Sequence, residues 1–265
     1  MSFVGTTALV TGGASGIGRA LGTALEAAGA RVVLADVATG DGGACRHLDV
    51  RDAAAFEALV NEIGPVGLLV NCAGISLGGA THEMSASHWD RIIDVNIRGV
   101  VNGVRAVYPS MVERGRGQIV NVASGAGLVA PPFVAAYAMT KHAIVGLSTA
   151  LRAEAALHGV RVSVLCPGAV ETPILDRLPD ADLPPTETAP VTARRYLAAV
   201  RQKPVHVDRF ARLALKGIER DRAIVVVPAS ARSLWYLHRL SPTLTGALTK
   251  ILARRVDRTL MSPRR

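Results

Sequence analysis

The stretch "TALVTGGASGIGRAL", residues 7–21, decides how this chain folds. A short run of apolar and β-branched residues enters a glycine cluster, and a segment of good helix formers leaves it. Strand, glycine turn and helix in that order open a βαβ unit. Gly12, Gly16 and Gly18 stand straight after the strand and at the helix entrance. Glycine there lets the backbone come close to a pyrophosphate, while the helix N-terminus offers unpaired N–H groups and the positive end of its dipole. The spacing is GxxxGxG, and taken alone it also suits a plain tight turn.

The next apolar run, "RVVLAD", ends at Asp36. A carboxylate at the end of a second strand accepts hydrogen bonds from both hydroxyls of a ribose. A 2′-phosphate placed there meets like charge with no arginine beside it, so NAD is expected and NADP less so. The competing reading makes Asp36 the start of a turn. "LDV" poses the same choice: Asp49 and Val50 end a third run, where they either border the adenine or simply turn the chain. Ser15 and Ile17, inside the glycine turn, complete this part of the expected cofactor site.

Working outward, apolar β-branched runs predict strands over 8–11, 31–35, 45–48, 68–71, 118–122, 160–165 and 223–227. Helical patterns fall between them, over 16–28, 53–63, 87–114, 137–158 and 207–220. The expected fold is therefore α/β, a doubly wound, Rossmann-type parallel sheet of seven strands. The runs are apolar without alternation, which implies burial on both faces. Two segments break the pattern. Residues 173–204 hold six prolines among scattered charges and read as part of a substrate lid over about 173–205. Residues 229–265 form a separate extension, leaving 1–228 as the expected catalytic domain.

With 265 residues, 49% of them hydrophobic and 26 glycines, the chain has material for one sizeable core. Cys45, Cys72 and Cys166 are an odd set with no CxxC spacing, so neither a disulfide framework nor a zinc site is expected, and a reducing cytoplasm fits. The histidines show no HExxH or paired spacing, so no metal is expected. The N-terminus lacks a basic region ahead of an apolar core, and no run is long enough to span a bilayer. The net charge of +9 is unevenly placed: residues 229–265 carry eight Lys or Arg and one acid, which is +7 of the total.

Several motifs now stand in order. "TGGASGIG" (residues 11–18) is followed by "NCAG" (71–74), "DVNIRG" (94–99), "IVNVASGAG" (119–127), "YAMTK" (137–141) and "CPGAVETP" (166–173). Over about residues 4–228 the chain resembles the short-chain dehydrogenase/reductase family. "NCAG" is similar to that family's NNAG motif, with Cys72 in place of the second asparagine. The resemblance implies a catalytic set of Asn96, Ser124, Tyr137 and Lys141. It also implies cofactor contacts from Asn71, Ala73 and Gly74, from Pro167, Gly168, Val170 and Thr172, and from Tyr137 and Lys141 themselves. By the same resemblance, Asn96 orients a water joining the lysine to solvent, and the protein forms dimers or tetramers through the long helices beginning near Ser87 and Tyr137. Two departures stand out. Only twelve residues separate Asp36 from Asp49, too few for the usual helix, and residues 229–265 lie beyond the family's usual end.

The chemistry follows from the residue types. Oxidising an alcohol by hydride transfer requires a base for the hydroxyl proton. A free tyrosine titrates near pKa 10, and bringing it to about 7 takes roughly 4 kcal/mol. An ammonium about 4.5 Å away, at an effective dielectric of about 20, contributes on the order of 3.7 kcal/mol. Tyr137 and Lys141 are one helical turn apart and share a face. Ser124 would hydrogen-bond the substrate oxygen as charge develops. Taken singly, Ser124 also fits a cap, Asn96 a polar residue in a helix and Tyr137 an ordinary half-buried ring.

Leu128, Val129, Phe133 and Val134, between the serine and the tyrosine, point to a hydrophobic alcohol or ketone as substrate. In the extension, Leu244, Leu248, Ile251 and Leu252 recur at helical spacing near Trp235 and Tyr236, with Lys250, Arg254 and Arg258 elsewhere on the wheel. Such a helix either packs on a subunit or the substrate mouth, or lies peripherally on a membrane. No groove-reading motif accompanies the charge, so nucleic acid is not an expected partner. The expected activity is hydride transfer between NAD(H) and a secondary alcohol or ketone. The alternatives are an NADP-linked carbonyl reductase and a non-catalytic nucleotide sensor on the same fold.

Overall fold

The apolar runs pair into one parallel sheet, since only a sheet covered by helices on both faces buries residues that do not alternate. A computed structural model describes residues 3–39, 45–178, 180, 182–184, 186 and 192–261. Its strands are β1 (Thr7–Thr11), β2 (Arg31–Asp36), β3 (Arg46–His47), β4 (Leu68–Asn71), β5 (Gly117–Val122), β6 (Val160–Pro167) and β7 (Ile224–Val227). Their order is β3-β2-β1-β4-β5-β6-β7, every neighbouring pair parallel. The order reverses between β1 and β4, which opens a crevice beyond the C-terminal ends of these strands.

Two helical layers complete the core. On one face α1 (Gly16–Ala27) and α7 (Val207–Glu219) bring Leu21, Leu25, Phe210 and Ile218 onto Ala8, Val10, Val70 and Val120. On the other, α2 (Ala53–Ile63), α4 (Gly99–Glu113) and α5 (Ala135–Ala156) bring Phe56, Met111 and Leu151 onto Leu9, Leu69 and Ile119. Successive residues of β1 thus point to opposite layers, as the period of a strand requires.

The long helix expected over 87–114 is interrupted. It comprises α3 (Ala86–Ile93), a π-helical turn at Asp94–Arg98 and α4. A π turn adds one residue to the helical ladder and rotates the side chains beyond it, a deformation common beside functional sites. The third strand shrinks to two residues at the sheet edge, and the described residues between β2 and β3 contain no helix.

The proline-rich segment is closed at its base. Val205 N–H donates to Ala169 O at 3.0 Å and Glu171 N–H donates to Val205 O at 2.9 Å. Within the segment lie a 3₁₀ turn at Pro173–Leu175 and α6 (Ala193–Ala199). Residues 179, 181, 185 and 187–191 of the expected lid lie outside the described residues. Arg194 binds Glu171 and Asp176, and Arg91 of α3 binds Asp180 and Asp182. After β7 the chain forms a hairpin of α8 (Ser230–Leu240) and α9 (Pro242–Val256) ending in a π turn at Asp257–Met261. Arg264 and Arg265 lie outside the described residues. The inner side of this hairpin packs on the lid: Tyr196 of α6 and Val256 are buried together with Phe133, Val200, Leu252 and Leu260.

Candidate active site

A cleft of about 1260 Å³ runs along the C-terminal ends of the strands. Its floor at one end is the glycine turn. A Cβ on Gly12 would lie 2.8 Å from the Ala73 backbone, and one on Gly18 would lie 2.1 Å from the Gly12 carbonyl oxygen. Both positions therefore demand glycine. Gly12 also has φ +67°, a left-handed conformation that favours it further. Ser15 precedes α1 in extended backbone without capping it, and no acidic side chain occupies the first turn. The N–H groups that open α1 are thus left for an anion from the cleft.

Asp36 stands at the end of β2. Its two oxygens accept the N–H groups of Ala14 and Ala38, each at 3.1 Å, which fixes the carboxylate on the cleft wall with lone pairs remaining. Asp49 also lines the cleft, where Arg51 Nη2 donates to it at 2.6 Å. The Arg51 guanidinium holds the Asp49 carboxyl below its usual range. Arg51 is thereby paired with Asp49. These features fit a dinucleotide: an unobstructed helix N-terminus for the pyrophosphate and an anchored acid for a ribose.

The other half of the cleft is built on β5 and α5. Ser124, at the end of β5, accepts the Ala126 N–H at 3.1 Å. Tyr137 and Lys141 sit one turn apart on α5, with Lys141 Nζ 5.6 Å from the phenol ring centre. Nζ donates to Val122 O at 3.1 Å, and the lysine is only 5% exposed. Burial pushes the Tyr137 phenol up, while hydrogen bonding from Ser124 acts in the opposite sense. Burial also pulls Lys141 down to about 8. Burial of the phenolate thus opposes the pull of the ammonium, whose size suits a shift toward neutrality. Both groups are desolvated, and for the phenol that effect exceeds the stabilisation offered by its neighbours.

Most of the expected site residues line this one cleft. They are Gly12, Ser15, Gly16, Ile17, Gly18, Asp36, Asp49, Val50, Ala73, Gly74, Ser124, Tyr137, Lys141, Pro167, Gly168, Val170 and Thr172. Asn71 does not. It is 2% exposed and its Nδ2 donates to Asn121 Oδ1 at 2.9 Å, inside a buried chain that continues to Ser148. It faces the core because it ends β4 on the side of α4.

Asn96 also stands behind the cleft wall. Its Oδ1 accepts the Ile75 N–H at 2.9 Å, and its Nδ2 donates to Ile75 O and to Thr140 Oγ1, each at 3.0 Å. The π turn aims this amide at the chain beyond β4, so Asn96 braces that strand end against α5. It approaches Lys141 at Gly74, where an added Cβ would lie 3.2 Å from Oδ1 and 3.4 Å from Nζ. Phe133 is a further correction: its ring joins the Tyr196 and Val256 cluster instead of the cleft.

One other contributor was not legible beforehand. Thr11 Oγ1 accepts the N–H groups of Cys72 and Ala73 at 3.0 and 3.1 Å, tying β1 to the end of β4. Leu234, Trp235 and Leu252 of the C-terminal hairpin line the far wall with Tyr196 and Leu197. Cys72 and Cys166 are pushed up to about 12 by burial, so their thiols are not nucleophiles.

Comparison with known proteins agrees with this geometry. Residues 6–182 match the family described as short chain dehydrogenase. A 3-alpha-(or 20-beta)-hydroxysteroid dehydrogenase of Mycobacterium bovis is 38% identical over 191 residues, 67% of this chain and 74% of that protein. Oxidoreductase UcpA of Escherichia coli K12 is 39% identical over 191 residues, 66% of this chain and 73% of its own length. The structure of a short chain dehydrogenase/reductase from Burkholderia phymatum in complex with NAD superposes with a TM-score of 0.81 at 31% identity, covering 92% of this chain and 96% of that one. Hairpin α8–α9 lies beyond the residues that the family model matches. The nucleotide-binding turn, the sheet order and the matched sequence together establish that the chain belongs to the short-chain dehydrogenase/reductase family of nicotinamide-dependent oxidoreductases.

Proposed function

We propose that this protein transfers a hydride between NAD(H) and a bulky hydrophobic secondary alcohol or ketone, with Tyr137 as general acid/base. The observation that carries this reading is that half-buried Tyr137 and buried Lys141 share one face of α5, beside Ser124, in an apolar part of the nucleotide cleft. A nicotinamide ring bound there supplies the hydride acceptor or donor. Ser124 Oγ hydrogen-bonds the substrate oxygen. The Tyr137 hydroxyl exchanges the proton of that oxygen, and Lys141, whose Nζ donates to Val122 O, holds positive charge beside the phenolate as it forms. Asn96 is a positioning residue in this scheme.

The preference for NAD rests on Asp36, held by two backbone N–H groups where a 2′-phosphate would meet its charge. A hydrophobic substrate is supported by Leu128, Val129, Val134, Leu197, Val200 and Trp235 around the cleft. The hydroxysteroid dehydrogenase among the relatives acts on compounds of that character by its name. Assembly into a homodimer or homotetramer through α4 and α5 fits the exposure of Val101 and Met139 on those helices.

The test is Tyr137→Phe, followed by absorbance of the reduced nicotinamide against a panel of hydrophobic alcohols. NAD binding is retained and turnover is almost abolished; a variant with unchanged turnover refutes the assignment. A parallel titration with NAD and NADP reads the cofactor preference directly.

A further inference from the structure

The C-terminal hairpin has two faces with different fates. On α9, Thr245 and Val256 are buried and Leu252 packs against Tyr196. Positions 244, 248, 251 and 255 share one stripe about 100° round the helix from that buried side, since steps of three and four residues keep to one stripe. Leu244 is 48% exposed, Leu248 44% and Ile251 63%, and Leu240 just before the helix is 85% exposed. Arg255 and Arg258 continue the same stripe, with Arg254 and Lys250 beside it, all exposed.

Three leucines and an isoleucine held in water, bordered by four cations, describe a helix suited to an interface between hydrocarbon and anionic headgroups. We propose that this outward face of α9 docks the protein on an anionic lipid bilayer. The helix lies on the surface: among the described residues no helix is long and apolar enough to cross a membrane. A second copy of this chain fits the stripe less well. A two-fold contact is self-complementary, so Arg255 and Arg258 would meet either each other or the leucines of the second copy, with no acid on the stripe to pair them.

The hairpin also connects this surface to the cleft. Leu234, Trp235 and Leu252 line the cavity, and Leu234 is at the same time half exposed. Docking through α9 therefore places the apolar mouth of the cleft next to the lipid, from which a membrane-dissolved alcohol or ketone enters. This last step rests on the proposed activity, whereas the docking itself does not.

The experiment is flotation of the full chain with phosphatidylcholine vesicles, with and without phosphatidylglycerol, alongside oxidation of a water-soluble secondary alcohol by NAD. The chain is expected to float with the anionic vesicles and to be released by salt. Leu244→Gln with Leu248→Gln and Ile251→Gln is expected to abolish flotation without changing soluble turnover. Arg255→Gln with Arg258→Gln weakens partition by about thirtyfold, at about fivefold for each basic residue lost. Absence of flotation by the native chain, flotation unaffected by the glutamine variants, or a dimer dissolved by those same variants overturns the proposal. Loss of soluble turnover in the native chain with flotation intact refutes the enzymatic reading alone.

Discussion

Replacing Asn96 with leucine distinguishes a structural brace from a group that serves proton traffic. Leucine is close to asparagine in size, so the variant fills the space but removes all three amide hydrogen bonds to Ile75 and Thr140. Thr140 keeps a partner, because its hydroxyl donates to Tyr137 O at 2.8 Å. The N–H and C=O of buried Ile75 lose theirs. Each orphaned buried group costs about 1–3 kcal/mol, so the variant loses about 2–6 kcal/mol. That is a large part of the roughly 5–15 kcal/mol that holds a typical domain together. With a urea m-value near the upper end of the usual range, about 3 kcal/mol/M, the unfolding midpoint falls by about 1–2 M. The assay is urea unfolding followed by circular dichroism at one fixed protein concentration, since assembly also shifts the midpoint. A midpoint within about 0.2 M of the native value, accompanied by a changed pH profile of kcat, would refute the brace and restore the family's relay role.

Lys141 links stability to pH. Its pKa is lowered to about 8 in the fold against an ordinary value of 10.5, so between those values the unfolded chain binds more protons and stability rises with pH. Below about 8 the burial penalty on the ammonium is constant, and Lys141→Met should relieve about 3 kcal/mol of it there, with the gain shrinking toward pH 10.5. The difference between the two stability curves up to about pH 9 is the measurement, because above it Cys72 and Cys166, raised to about 12 from 9.0, act oppositely and lose the lysine's influence in the variant. A difference that does not vary with pH contradicts the buried ammonium. Gly18→Ala drives a methyl against the Gly12 carbonyl; at about 1–3 kcal/mol of strain, NAD affinity measured by calorimetry drops by about tenfold or more, and an unchanged affinity would show the turn to be compliant. Trp235→Ala opens the far wall of the cleft: KM for bulky hydrophobic alcohols rises by about tenfold while NAD affinity stays constant, and equal KM values would remove the hairpin from the substrate site.

The nucleotide turn was readable from residues 7–21 because its demands are local: a strand, glycines where no Cβ fits, a helix entrance and an acid one strand later. The parallel sheet was readable for a similar reason, since uninterrupted apolar runs have only one way to be buried on both faces. Ser124, Tyr137 and Lys141 were found by family resemblance and by the one-turn spacing of the last two. Asn71 and Asn96 were named from their motifs, but their places behind the cleft wall were not legible, because the sequence does not state which way a side chain faces at a strand end or within a π turn. Thr11 gave no signal, since a threonine closing a strand is common and its partners lie some sixty residues away. The direction of the Tyr137 shift, too, belonged to the tertiary structure: spacing brings phenol and ammonium together, but only packing sets how much water each retains. The C-terminal hairpin shows the same division. Its amphipathic period was visible in residues 244–252, yet which apolar side chains turn inward to the cleft and which remain outside depends on the surfaces of α6 and β7, whose assembly no local pattern encodes.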